Sequence, residues 1–219
     1  MRHVVLLLVI CFPFVVLADF REGGKAYMQG DYETAANHFS EAAGRGDHRA
    51  MYALGSMYAG GQGVELDYRQ AYGWFQKAAK YGRPDANYKL GLMYEQGLGL
   101  KQDYDKALRY YGKAAKAGYP QAQYKVGTFY ADGHSVTADN VKAYAWLAVA
   151  YGKLEAVLET TPENDEASEE FLQEQEEFRQ ASAGSKLDDL RNRMETLQAS
   201  LSPQEIESAK ALIAEYSRY

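Results

Sequence analysis

The chain has 219 residues, 47% of them hydrophobic, with 24 lysines and arginines against 30 acids and a formal net charge of -6. That length can bury a sizeable core, while an acidic balance without a concentrated basic face argues against a nucleic-acid backbone or an anionic membrane surface as partner. A single cysteine, Cys11, excludes an internal disulfide, so the fold must be held by packing.

Met1-Arg2-His3 gives a short basic start, and Val4 to Leu17 follows as 14 residues without a charge. The run is shorter than the roughly 18 residues of a stable membrane span and reads as a cleavable signal peptide over residues 1–18. Val16-Leu17-Ala18 offers the cleavage position, so the mature chain is expected to begin at Asp19 and to be exported, with the periplasm as the simplest destination. A lipoprotein reading at Cys11 is the alternative, although Ile10 stands where a small residue is wanted.

From Asp19 to Leu154 the sequence repeats itself. Asp31, Asp67, Asp103 and Asp139 stand 36 apart, as do Ala35, Ala71, Ala107 and Ala143. The register also holds for Gly55, Gly91 and Gly127, for Tyr58, Tyr94 and Tyr130, and for Gly61, Gly97 and Gly133. A fixed period of this size marks a stacked repeat, with copies near 19–46, 47–82, 83–118 and 119–154. Each copy reads as two helices. Ala50, Leu54, Met57 and Tyr58 recur at helical spacing on the first, which the glycine at 61, 97 or 133 terminates. The aspartates at 67, 103 and 139 are N-caps of the second, whose apolar face carries Ala71, Trp74, Phe75 and Ala78, then Ala107, Tyr110, Tyr111 and Ala114. So short a helix pair cannot bury its own apolar face, and copies must stack. The fold class predicted is all-α: a right-handed α/α superhelical solenoid of about four helix pairs, followed by a C-terminal helical hairpin.

The run Ala50-x-Tyr52-x-Leu54-Gly55-x-x-Tyr58-x-x-Gly61-x-Gly63-Val64-x-x-Asp67-Tyr68-x-x-Ala71 resembles the Sel-like repeat, a relative of the tetratricopeptide repeat. The copies from Ala50 and Ala86 match best. The first has a loop five residues shorter, and in the last Ser135 replaces the second loop glycine and Asn140 the tyrosine after the capping aspartate. The resemblance implies a protein-interaction scaffold or adaptor in the cell envelope, with a protein or peptide partner and no cofactor. A cysteine-rich branch linked to beta-lactam hydrolysis makes a cell-wall or lactam hydrolase the alternative, disfavoured here because the paired cysteines are missing.

Past Ala150 the Gly-x-Pro break of the earlier units is absent, so the last repeat helix is expected to run on through Leu154, Val157 and Leu158. Residues 155–185 form an acidic extension, with ten acids and no base between Glu155 and Glu177. Residues 186–219 then read as two helices. Leu187, Leu190, Met194, Leu197 and Leu201 space as a heptad stripe, and Ser202-Pro203-Gln204-Glu205 is a helix start. The stripe suits an intramolecular hairpin with the final helix, or a coiled-coil dimer through Leu187–Leu201; the hairpin and a monomer are favoured because two heptads rarely hold a dimer.

No Ser-x-x-Lys, Gly-x-Ser-x-Gly, His-Glu-x-x-His or phosphate-binding glycine loop occurs, so no catalytic residue is assigned. His38, His48 and His134 lie in different copies with no metal-ligand spacing, and no metal or cofactor site is assigned. Tyr52, Tyr88 and Tyr124 recur on the first helices. They read either as an aromatic ladder offered to a bound peptide or as filler between copies. On the ladder reading the variable neighbours Ser56, Leu92, Glu95 and Thr128 set what is recognised.

Overall fold

The computed structural model describes residues 12–159 and 185–218; residues 1–11, with Cys11, and 160–184, with most of the acidic extension, lie outside them. Ten α-helices and no strands occur among the described residues. They are α1 (Phe12–Met28), α2 (Tyr32–Gly44), α3 (His48–Gly60), α4 (Tyr68–Lys80), α5 (Pro84–Gln96), α6 (Tyr104–Lys116), α7 (Pro120–Asp132), α8 (Asn140–Glu159), α9 (Ser185–Ser200) and α10 (Pro203–Tyr216). The fold is all-α, of the helix-pair solenoid class. Its helices group into two compact units that divide within α6, one through Ala107 and one from Leu108 onward. The expected signal cleavage after Ala18 falls within the span of α1.

Local chemistry sets the helix ends. Asp31 and Asp67 accept bonds from the free amides of Thr34, Arg69 and Gln70, while Asp103 and Asp139 accept from Lys106 and Lys142, each at 2.9 Å. The first helices begin differently: Asp47 caps α3, whereas Pro84 and Pro120 occupy the first position of α5 and α7, where the missing N–H costs nothing. All three end on a left-handed glycine, Gly61, Gly97 or Gly133.

Small residues set the packing distance. On the second helices, positions 39, 75, 111 and 147 hold Phe, Phe, Tyr and Leu, all buried. Phe39, Phe75 and Leu147 press on Gly23, Gly55 and Gly127 of the paired first helix, where a Cβ would stand 2.7 Å from the side chain. The loop glycines make a second joint. Gly63 lies against the backbone of Tyr32 at the start of α2, and Gly99 lies the same way against Tyr68 at the start of α4. In the last copy Ser135 holds this left-handed conformation with φ 65°, the only non-glycine to do so among the described residues.

In the second unit, α8 continues to Glu159, and the C-terminal helices both pack on it. The heptad stripe of α9 packs on α8: buried Leu190 closes a cluster with Leu147 and Leu154, joined by the partly buried Leu187, Met194, Leu197, Tyr124 and Tyr151. Sequence periodicity left the final helix, or a second chain, as the mate of this stripe and favoured the final helix; the structure sets it against Leu147 and Leu154 of α8. The α10 helix starts at the expected capping box, with Ser202 and Glu205 bonded reciprocally. It seats Ala209 in the core and stacks Tyr216 on Trp146 with ring centroids 4.1 Å apart.

One buried polar group stands out. Gln123 of α7 is fully buried; its Nε2 donates to the Ala115 carbonyl at 3.2 Å, and its Oε1 has no hydrogen-bond partner. One and two repeats earlier the position holds Asn87 and Met51. Gln123→Met is expected to stabilise the chain by about 1 kcal/mol, because an unmet buried acceptor costs about 1–3 kcal/mol. The Ala115 carbonyl would keep the Gly118 amide at 3.0 Å. Urea unfolding followed by circular dichroism checks this, and a lowered midpoint refutes it.

Candidate interaction surface

The seven residues singled out in the sequence fall on three first helices. Tyr52 and Ser56 lie on α3 and Tyr88, Leu92 and Glu95 on α5, all in the first unit; Tyr124 and Thr128 lie on α7 in the second. Their environments differ. Tyr52 is only 4% exposed, with its ring 5.6 Å from that of Phe75. The Arg83 guanidinium lies 4.9 Å over it and is itself paired with the Asp85 carboxylate. Tyr52 therefore works as a joint between the second and third repeats.

The same joint occurs one repeat earlier with other residues. Arg49 stands 4.4 Å over the Phe20 ring and donates to both oxygens of Asp47, at 3.2 and 2.7 Å. Burial pushes the Asp47 carboxyl upward, but Arg49 and the Arg49 and Ala50 amides outweigh it and hold the group below its usual range. These pairs carried no shared sequence motif, since the order is Asp-x-Arg in one repeat and Arg-x-Asp in the next.

Tyr88, Leu92 and Glu95 present a different picture. Spaced i, i+4 and i+7, they share one face of α5, and all three are partly exposed. Ser56 is partly exposed on α3. In the second unit Tyr124 is half-buried, and its hydroxyl donates to Asp189 of α9 at 3.3 Å. Its phenol is held above the ordinary range by burial first, with Asp189 adding to the effect and Arg193 opposing it. Thr128 turns its hydroxyl back onto the Lys125 carbonyl at 2.9 Å. Sequence reasoning missed Asp189 and Arg193, because nothing in the local pattern of α9 names its neighbour.

Among the described residues no three His, Cys, Asp or Glu side chains are grouped to hold a metal, and no helix is long and apolar enough to cross a membrane. The sequence profile of the Sel1 repeat matches residues 17–47, 48–82, 84–119 and 120–151. Among solved structures, a Sel1 repeat protein from Oxalobacter formigenes is similar at 29% identity, over 61% of this chain and 55% of that one, with a TM-score of 0.58. A protective antigen of uropathogenic Escherichia coli strains with an SLR fold is similar in fold, at 22% identity over 92% of this chain and 45% of that one, with a TM-score of 0.51. The chain thus spans about half the length of each. No curated protein matches it.

Proposed function

Because the chain belongs to the Sel1 repeat family, whose repeats typically mediate protein–protein interaction, we propose that it is an envelope scaffold or adaptor binding a partner polypeptide through its first helices. The fold is generally a non-catalytic one. The observation that carries the reading is the row Tyr88, Leu92 and Glu95 on α5, partly open where Ala86, Leu90 and Met93 of the same helix are buried. An aromatic, an aliphatic and an acid in one line supply contact area with a polar rim, the composition of a recognition face. The signal-like run Val4 to Leu17 supports export, and N-terminal sequencing of the mature protein should then begin at Asp19.

A photo-crosslinking residue at Leu92, expressed in the native envelope, should give one discrete protein adduct. The same residue at exposed Lys80, at the end of α4, should not. Equal or absent adducts at the two positions refute the proposed face.

A further inference from the structure

We propose that the α7–α8 face beneath α9 is a docking site for an amphipathic helix, that α9 is its tethered resident, and that a partner helix of the same pattern takes its place. This rests on the scaffold reading and names the chemistry of one ligand. The helix lies beyond the matched repeats, which end at residue 151. Yet it too brings an arginine–carboxylate pair, Arg193 with Asp189 at 3.3 Å, to a first-helix tyrosine: Asp189 accepts from the Tyr124 hydroxyl, where at Tyr52 it is Arg83 of the Arg83–Asp85 pair that lies over the ring. The face therefore accepts a helix from outside the repeat array.

The resident is thinly held. Leu190 is the one buried side chain of α9 among its described residues, and Leu187, Met194 and Leu197 are only partly covered. Its polar links use exposed side chains of α9 itself: Asp189 with the Tyr124 hydroxyl at 3.3 Å, Arg191 with the Tyr151 hydroxyl at 2.6 Å, Gln198 with Tyr144 at 3.4 Å, and Ser200 with Asn140 at 3.3 Å. Such bonds exchange readily with water. The α10 helix has its own anchor on α8 through Ala209 and Tyr216, so α9 can leave without freeing the C-terminal chain.

The contacts describe the competing ligand. It is a helix with leucine-type residues at i, i+3, i+7 and i+10 for Leu147 and Leu154. On one flank it carries a carboxylate for the Tyr124 hydroxyl, and on the other an arginine for Tyr151, which itself donates to Glu155 at 2.9 Å.

The test uses the full chain and, as probe, a fluorescein-labelled synthetic peptide of residues 185–201, read by fluorescence anisotropy. Leu190→Asp loosens the resident helix and should raise peptide affinity at least ten-fold over the unsubstituted chain. Adding Tyr151→Ala should remove several-fold of that gain. If Leu190→Asp leaves α8 protected from hydrogen exchange but the peptide does not bind, or if the substitution exposes α8, α9 is an integral part of the fold and the proposal fails. Asp189→Ala with Arg191→Ala, which spares the apolar stripe, should raise affinity several-fold in a chain of unchanged helicity; equal affinity overturns the proposal as well. The crosslink at Leu92 is on the other unit, so its outcome judges the scaffold reading separately.

Discussion

Gly99→Ala is expected to destabilise the protein by about 2–5 kcal/mol, and Gly63→Ala by at least as much, far more than a single methyl ordinarily costs. Two effects combine. Gly63 and Gly99 have φ of 65° and 69°, a left-handed conformation that costs an L-residue roughly 1–2 kcal/mol. The added Cβ at 99 would also stand 2.5 Å from the Tyr68 Cβ and 2.9 Å from its carbonyl carbon, and at 63 it would enter the Tyr32 carbonyl. The Tyr68 Cβ and the carbonyls of Tyr32 and Tyr68 are fixed to helix starts. They can retreat only by moving α2 or α4, and forced repacking costs about 1–3 kcal/mol more. Ser135, which already bears a side chain at the corresponding place, should respond oppositely, with Ser135→Gly gaining about 1 kcal/mol. Urea midpoints of the three variants check the pair; Gly99→Ala within 1 kcal/mol of the unsubstituted protein would show that the loops do not clamp successive repeats.

Phe75→Ala should cost about 3–5 kcal/mol, the range for emptying a fully buried aromatic site. Its ring is 1% exposed, rests on Gly55 and borders Tyr52. Phe75→Leu should cost far less, since Leu147 fills the same seat on Gly127 two repeats later. A double variant gives the sharper test. Gly55→Ala alone drives a methyl to 2.7 Å from the Phe75 ring, whereas with Phe75→Ala it enters the space the ring has left. The two substitutions should therefore be less than additive by about 1 kcal/mol, in the range of direct neighbours. Strict additivity would mean that the glycine and the ring do not share a joint.

The tyrosines at 52, 88 and 124 show where sequence reading reaches its limit. Their spacing placed them on one kind of helix and left two roles open, contact ladder or filler. Burial separates them: Tyr52 is closed in by Phe75 and Arg83, Tyr124 is engaged by α9, and Tyr88 keeps partial exposure beside Leu92 and Glu95. Position in a repeat fixes the direction of a side chain, whereas the residues that meet it come from other helices and vary: Phe75 and Arg83 at Tyr52, Asp189 at Tyr124.

What the amino-acid sequence determined by itself was everything governed by neighbours within about one helical turn. Capping aspartates, terminating glycines and the Ser202–Glu205 box are local devices, satisfied inside one helix or one hairpin, and the 36-residue period repeats them from copy to copy. Tertiary structure alone decided what each apolar or glycine surface meets: Tyr32 and Tyr68 for the loop glycines, Phe75 for Gly55, and α8 for the stripe of α9. Apolar attraction has no direction, and a heptad of leucines reads the same whether a final helix, a second chain or α8 lies opposite. The choice falls to whichever arrangement covers most apolar surface, and that is a property of the assembled helices.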